Sequence, residues 1–383
     1  MQIAGYRVSP LDFLHLGFPA AIILKFSPAS DGWVFVMAGM AVIPLAGVMG
    51  TATEHLAGRF GPGIGGLLNA TFGNAAELII AALALQRGLN EVVKASITGS
   101  ILGNILLVLG ISMLAGGLKH QRQTFNKTAA GLGATLLGLS AVGLVVPALF
   151  LALTPARVRG GSPDIVAASH EHFEMLTVII CVVLMAAYVM SLVFSLKTHR
   201  HLFAAKGSGD GGDTGGLWSV RKTVLVLLGA TAGVAVMAEM LVGAVEHTAE
   251  AWGMPHVFVG VILVAVIGNA AEHAAAVMMA MKNKMDLSIN IAVGSSIQIA
   301  LFVAPLLVFL SYVLGPPEMA LTGGGTGGGP MLLDFTTMEV AAVVVAVAIT
   351  GLVAHDGESH WMEGVMLLAV YVILGSAFYF MPG

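Results

Sequence analysis

The feature that most constrains this chain is a series of long apolar segments separated by short polar stretches. A helix needs about 20 mostly apolar residues to cross a bilayer. The sequence contains eleven segments of that kind. They cover approximately residues 10–27, 32–53, 64–87, 95–117, 127–153, 173–197, 219–246, 256–281, 288–314, 334–354 and 360–381. Strands of a membrane barrel would be about 10 residues long with alternating polarity, so we predict an all-α polytopic membrane protein with eleven transmembrane helices.

The composition agrees with this class of protein. Only 10% of the residues are charged and 57% are hydrophobic, whereas a soluble domain carries about 25% charged residues. The net charge of −4 and the absence of a basic patch give no indication of nucleic-acid binding. The single cysteine, Cys181, excludes an intramolecular disulfide. The apolar N-terminus has one early arginine and no small-residue cleavage site, which favours a retained first span over a cleaved signal peptide.

A pentapeptide, Gly-Asn-Ala-Ala-Glu, occurs twice inside these apolar segments, at residues 73–77 and 268–272. The shared register extends further, because a Gly-Ser pair follows each glutamate and places Ser100 and Ser295 at equal distances from Glu77 and Glu272. The two copies lie in spans three and eight. An advance of five spans is odd, so the copies cross the membrane in opposite directions. This arrangement is typical of secondary transporters built from inverted repeats.

The repeat divides the chain into four parts. We predict a first span at 1–30, a first five-helix repeat at 31–205, a cytoplasmic glycine-rich linker at 206–217 and a second five-helix repeat at 218–383. A second glycine-rich stretch at 321–330 is predicted to be a flexible loop. If the N-terminus is cytoplasmic, the inside segments hold twelve of the 17 Lys and Arg residues. The positive-inside rule therefore predicts a cytoplasmic N-terminus and an outside C-terminus.

The two repeated acids are the strongest candidates for a functional site. A charge at the bilayer centre costs at least about 2.5–3.5 kcal/mol by insertion scales. Glu77 and Glu272 both fall near the middle of their spans, so we expect them to face the interface between the two halves, where ion sites of inverted-repeat transporters lie. The alternative is a pair of protonated acids that only hydrogen-bond to neighbouring helices.

Other polar groups accompany the acids at comparable depth. Gly73 and Gly268 can form hinges that release backbone carbonyls for ion coordination. Candidate supporting ligands are Asn74, Asn269, Asn104, Gln298, Ser100 and Ser295. Helix packing through small and polar residues is the competing interpretation for this set. His273 follows Glu272 but has no counterpart at Leu78, so an ion-selectivity role and a packing role both stay open.

The chemistry of these groups indicates a cation site. Carboxylate, amide, hydroxyl and carbonyl oxygens are hard ligands suited to Ca²⁺, Mg²⁺, Na⁺ or Mn²⁺. One Ca²⁺ neutralises two carboxylates, and so do two protons, whereas the empty ionised site is costly to occlude. These charges favour antiport of Ca²⁺ for protons by alternating access, with Ca²⁺ as substrate and no cofactor. A Na⁺(K⁺)/H⁺ antiporter is the alternative and a cation channel has less support. No motif for an intramembrane enzyme is present.

Three further motifs are weaker. The stretch 61–66 satisfies G-x-G-x-x-G, but no strand precedes it, so a hinge is favoured over a dinucleotide site. The stretch 169–174 contains two histidines and two glutamates without zinc-protease spacing, which favours a solvated helix start over a pH-sensing or cation-attracting role. Glu239 and Glu246 share one helix face and either line an outer vestibule or lie on the surface.

The residues around the acids resemble the cation/proton exchanger (CAX) family of the calcium/cation antiporter superfamily. The similarity covers nearly the whole chain and is carried by "GNAAELIIA", "GNAAEHAAAV", "GSILGNILLVLG" and "GSSIQIALFVAP". It implies eleven spans and a membrane Ca²⁺ site built around Glu77 and Glu272, with exchange against protons. The short linker lacks the acidic segment of many eukaryotic members, and no long N-terminal extension precedes the first span. Both departures imply a multi-pass protein of a prokaryotic plasma membrane.

Overall fold

The computed structural model describes residues 2–3, 6–7, 14, 16–27, 30–154, 163–199, 202, 218–314 and 330–381. The predicted linker at 206–217 lies outside the described residues. So does the predicted glycine-rich loop at 321–330, except for its last residue. The helices are α1 Gly17–Lys25, α2 Asp31–Phe72, α3 Ala75–Gln86, α4 Asn90–Lys119, α5 Lys127–Leu153, α6 Pro163–Val193 with a π-helical end Phe194–Thr198, α7 Val220–Trp252, α8 His256–Met281, α9 Met285–Leu314, α10 Thr337–Val353 and α11 Trp361–Phe380.

These helices make the chain a multi-pass membrane protein. Within the described residues, eight helices are long and apolar enough to cross a bilayer. Helices α3 and α10 are apolar but shorter, with 12 and 17 residues, and α1 has 9 residues. At 1.5 Å per residue, a helix as short as α1 does not by itself span a hydrocarbon core about 30 Å thick. The count of eleven crossings therefore stays a prediction.

The predicted boundary between the second and third spans is wrong. The sequence predicts a loop after residue 53, but α2 continues as one helix of 42 residues to Phe72. The chain turns instead at Gly73 and Asn74, immediately before α3. Tertiary packing accounts for the difference, because Leu56 of this extension belongs to an apolar cluster that includes residues of α7, and Leu68 and Phe72 pack against that cluster. Packing of this kind overrides a weak local propensity.

Two short antiparallel ladders qualify the all-α prediction, so the fold is nearly all-helical. Strand β1, Gln2–Ile3, pairs with β2, Tyr6–Arg7. Strand β3, Gln123–Thr124, pairs with β4, Glu358–Ser359. The second ladder joins the connection between α4 and α5 to the connection between α10 and α11.

The two halves pack through reciprocal contacts. Helices α2 and α7 lie antiparallel along each other, because Phe35 meets Trp252 at one end and His55 stacks on Trp218 at the other. Helix α3 packs against α7, and α8 packs against α2. Helices α4 and α9 each carry a π-helical segment, at Gly103–Val108 and Ile299–Val303. These segments follow the repeated Gly-Ser pair at nearly the same interval, so the two halves share local backbone structure as well as sequence.

Candidate ion-binding site

The repeated acids meet where α3 crosses α8. Glu77 lies in the first turn of α3 and its side chain is buried. It rests against Gly268, where a Cβ atom would lie 3.2 Å from the Cγ of Glu77. Glu272 follows Gly268 by one helical turn on α8, so it presents its side chain on the same face. The two carboxylates are close enough for their negative charges to repel each other.

Each acid keeps one carboxylate oxygen without a protein partner. The Oε2 atoms of Glu77 and Glu272 are buried, and neither accepts a hydrogen bond from the described residues. A buried charged oxygen without compensation is costly. These two atoms are therefore suited to a proton or a cation, and they distinguish the pair from a fully hydrogen-bonded structural network.

The repeated asparagines bond to the repeated serines of the opposite half. Asn269 Nδ2 donates to Ser100 Oγ at 2.9 Å, from α8 to α4. In the corresponding contact, Ser295 Oγ of α9 donates to Asn74 Oδ1 at 3.4 Å. The Ser295 hydroxyl also lies beside the carboxylate of Glu272. Each half therefore positions polar groups of the other around the acids.

Two further predicted ligands join the same network. Asn74 Nδ2 donates to Gln298 Oε1 at 2.5 Å. Asn104 Nδ2 lies 3.5 Å from Asn269 Oδ1. Gln298 is half-buried, whereas the three asparagines are almost fully buried. The structure thus brings together all six predicted supporting side chains.

His273 breaks the symmetry of the network. Its Nε2 lies 3.1 Å from Asn104 Oδ1. Asn104 in turn contacts Asn269, so the imidazole is linked to the site through two amides. The equivalent residue in the first half is Leu78, which cannot make such a bond. His273 therefore contacts the polar network from α8, and its ring is not packed only against apolar groups.

The two predicted hinges differ. Gly73 and Asn74 form a turn that separates α2 from α3, as expected of a broken helix. At Gly268 the expected break is absent, because α8 runs unbroken from Ala265 to Met281. Asn269 Nδ2 also donates to the carbonyl of Ala265 at 2.9 Å, within the same turn. In this structure Gly268 leaves room for Glu77, and its role as a hinge stays a prediction.

Sequence reasoning missed a third buried acid. Glu339 is 2% exposed and accepts hydrogen bonds from Thr98 Oγ1, Thr336 Oγ1 and the Thr336 amide at 3.2, 2.8 and 2.9 Å. Thr336 and Glu339 form a capping box at the start of α10. The S/T-x-x-E pattern before an apolar run could have identified it. Since its hydrogen bonds are satisfied locally, Glu339 fixes a helix end and joins α10 to α4.

The weaker motifs lie away from this network. His170, Glu171 and His172 are exposed on α6, and Glu174 accepts a hydrogen bond from Tyr312. Glu239 forms an ion pair with Arg87, which directly follows α3, and Glu246 is exposed. The glycines of 61–66 belong to α2, so no strand precedes them.

The arrangement can bind a hard cation or protons in turn. No group of three or more His, Cys, Asp and Glu side chains is arranged for a metal ion within the described residues. The site consists of two carboxylates with neutral amide and hydroxyl oxygens around them. Such a donor set suits Ca²⁺ and its relatives, which take oxygen ligands in flexible geometry.

Comparisons with known proteins follow the same division of the chain. The family model "Sodium/calcium exchanger protein" matches twice, over residues 31–197 and 222–380. A Ca(2+)/H(+) antiporter from Synechocystis is 43% identical over 387 aligned positions, covering 94% of this chain and 97% of the relative. The Ca(2+)/H(+) antiporter ChaA of Bacillus subtilis is 40% identical, with 95% and 96% covered.

Solved structures give the same result for the fold. Native YfkE matches with a TM-score of 0.77 at 38% sequence identity, covering 97% of this chain and all of that chain. The H+/Ca2+ exchanger CAX matches with a TM-score of 0.65 over 96% of this chain and 90% of its own length. At 12% identity the second match concerns the fold alone.

Proposed function

Because the chain belongs to the sodium/calcium exchanger protein family, we propose that it exchanges Ca²⁺ for protons across a membrane by alternating access. Its relatives from Synechocystis and Bacillus subtilis are named Ca(2+)/H(+) antiporters. The observation that carries the proposal is the pair of buried carboxylates, Glu77 and Glu272, each with an unpartnered oxygen.

Charge balance explains how such a pair couples the two ions. With both acids ionised and no ligand bound, the site holds two negative charges in a medium of low polarity, which is costly. One Ca²⁺ or two protons remove that cost. The protein therefore switches between its inward-open and outward-open states readily when the site holds either ligand. It switches slowly when the site is empty. Obligatory loading is the property that separates an antiporter from a leak.

The neutral polar groups have a different task. The reciprocal contacts of Asn74 with Ser295 and of Asn269 with Ser100 fix the amide oxygens beside the acids. Oxygen ligands of this kind complete the coordination shell of Ca²⁺ without adding charge. The charge of two carboxylates matches a divalent ion more closely than Na⁺ or K⁺. A Na⁺(K⁺)/H⁺ antiporter is therefore the second candidate. The closed, buried pair of acids gives no support to a channel.

The membrane arrangement completes the proposal. We assign one N-terminal span and two inverted five-helix repeats, with the N-terminus in the cytoplasm, the C-terminus outside and the protein in the plasma membrane of a prokaryote. The antiparallel packing of α2 on α7 and the parallel course of α3 along α7 support alternating crossings. In this orientation the protein exports cytosolic Ca²⁺ in exchange for protons that enter the cytosol.

Everted membrane vesicles provide the test. A pH-sensitive dye reports the internal proton pool, and Ca²⁺, Na⁺, K⁺ and Mn²⁺ are added in turn to the outer medium. We expect Ca²⁺ to release protons with saturable kinetics. Proton release by Na⁺ or K⁺ alone would support the second candidate, and ion flux without an opposing proton gradient would support a channel.

A further inference from the structure

Helix α3 is a short helix between two turns, with the charged residue Glu77 in its first turn and Arg87 directly after its last residue. It begins after the turn at Gly73 and Asn74 and ends at Gln86, which is followed by Arg87 and by Gly88 with φ of 74°. Glu77 of the ion site lies in its first turn. A displacement of the Arg87 end therefore tilts the helix that holds one of the two acids.

Helix α7 contacts both ends of α3, one through apolar side chains and the other through an ion pair. Near the start of α3, Ala75 and Ala76 share an apolar cluster with Leu227, Ala230 and Val234 of α7. At the other end the guanidinium of Arg87 pairs with the carboxylate of Glu239. The apolar contact has no directional requirement, whereas the ion pair requires the two charged groups to lie within about 4 Å of each other.

The side chain of Arg87 lies against a glycine of α7. The guanidinium lies over Gly243 of α7, where a Cβ atom would be only 2.8 Å from Nη1. Gly243 follows Glu239 by one turn, so both residues lie on the face of α7 that contacts the Arg87 side chain. Arg87 and Glu239 are 38% and 53% exposed as side chains, which is typical of a contact that can open at low cost.

We propose that the Arg87–Glu239 pair, seated on Gly243, is a positioning contact that keeps the ion site closed on the side of the membrane where α3 ends, predicted to be the outside. The inference rests on the proposed antiport function. Alternating access requires the helices around Glu77 to move relative to α7, and the ion pair stabilises the state in which the outer ends of α3 and α7 are together. Neither residue contacts the transported ion in that state.

The contact has a kinetic consequence that a purely structural role lacks. Weakening the pair shifts carriers towards the outward-open state, so fewer sites face the cytoplasm. The apparent affinity on the cytoplasmic side falls in proportion to the fraction of competent carriers. A half-exposed ion pair shifts such an equilibrium by up to about fivefold. We therefore expect KM for cytosolic Ca²⁺ to rise measurably, by at most about fivefold, with kcat changed less than twofold.

The test is a double-mutant cycle in everted vesicles containing the full chain. Arg87→Gln and Glu239→Gln are measured alone and together for KM and kcat of Ca²⁺-driven proton release. If the residues act as a pair, the double variant has the same KM as either single variant. An unchanged or lower KM in both single variants, or two effects that multiply in the double variant, would overturn the proposal.

A variant without any charge change provides an independent measurement. Gly243→Ala places a methyl group where the guanidinium lies, and Gly229→Ala adds the same group to α7 where no atom lies within 4 Å. We expect Gly243→Ala to raise KM like Glu239→Gln and to add nothing in the Arg87→Gln background, while Gly229→Ala keeps the wild-type KM. An unaltered KM in Gly243→Ala contradicts the proposal. Wild-type vesicles that show no exchange contradict the antiport function instead.

Discussion

Asn269 Nδ2 of α8 donates a hydrogen bond to Ser100 Oγ of α4 at 2.9 Å, and this contact joins the second signature segment to the helix that follows the first. Its counterpart, Ser295 to Asn74, joins the halves in the opposite sense. The polar residues of each repeat are thus completed by the other repeat. Glu77 and Glu272 consequently share one environment and are best treated as one site.

Neutralising either acid is expected to abolish exchange. Glu77→Gln and Glu272→Gln each remove a negative charge, so bound Ca²⁺ keeps an uncompensated positive charge in a buried site. We expect Ca²⁺-driven proton release to fall at least about 100-fold in each variant. Glu250→Gln is a matched control, because that acid is exposed at the end of α7. Exchange at a tenth of the wild-type rate or more in either site variant contradicts the assignment.

Filling the space at Gly268 is expected to displace Glu77. The added methyl group of Gly268→Ala would lie 3.2 Å from Glu77 Cγ, which is closer than ordinary van der Waals contact. Overpacking of this kind costs about 1–3 kcal/mol, and part of it falls on the bound state, so KM for Ca²⁺ should rise about fivefold or more. Gly294→Ala serves as the control, since no atom lies within 4 Å of its added carbon. Equal KM values in the two variants would refute this role of Gly268.

Removing the serine hydroxyl from the α4 contact is expected to weaken ion binding moderately. Ser100→Ala leaves Asn269 Nδ2 with its bond to Ala265 but no partner across the helices. One neutral hydrogen bond contributes about 0.5–1.5 kcal/mol, which corresponds to about a two- to tenfold rise in KM. Ser295→Ala should have the larger effect, because the Ser295 hydroxyl donates to Asn74 and also lies beside the carboxylate of Glu272. A larger KM increase in Ser100→Ala than in Ser295→Ala would contradict this account of the two serines.

His273 is expected to influence the choice of cation. His273→Leu introduces the residue type that stands at the equivalent position 78 and removes the bond to Asn104. Asn104 then changes its hydrogen bonding near Asn269, so the ratio of Ca²⁺ to Mn²⁺ transport should change by about threefold or more. Dye measurements with each ion at saturating and subsaturating concentration give the ratio. A constant ratio with a lower expression level indicates that the imidazole serves packing only.

Cytosolic protons are expected to compete with cytosolic Ca²⁺ in the wild-type protein. Both ligands need the same carboxylates, and protons occupy them increasingly as pH falls. Acidifying the medium around everted vesicles should therefore raise KM for Ca²⁺ while leaving the maximal rate, extrapolated to saturating Ca²⁺, unchanged. Kinetics at several pH values with a fixed internal pH provide the measurement. A fall in the maximal rate at constant KM would indicate protonation at a separate site.

Much of this architecture could be predicted from the sequence, because bilayer thickness and the cost of buried charge leave few alternatives. The apolar segments indicated a multi-pass helical protein, and the family prediction is confirmed by the match over residues 31–197 and 222–380. The repeated pentapeptide identified both acids and their asparagines. The number of crossings, the orientation and the roles of individual side chains stay predictions.

What could not be predicted depends on contacts distant in sequence. The continuation of α2 to Phe72 is stabilised by packing on α7, which no local pattern reveals. The same four residues follow Gly268 and Gly73, yet α8 is unbroken at Gly268, where Glu77 from another helix lies beside the glycine. The pairing of Arg87 with Glu239 likewise joins residues 152 positions apart.

The turn at Gly73 and Asn74, with its uninterrupted equivalent in α8, has a consequence for energy coupling. In a carrier made of two inverted halves, perfect symmetry would give the inward and outward orientations the same free energy. One broken and one continuous helix remove that equality, so the two orientations of the unloaded protein differ in free energy. A difference of about 1.4 kcal/mol already gives a tenfold excess of one orientation. The fold itself can thus bias the direction in which the exchanger works fastest, independently of the ion gradients.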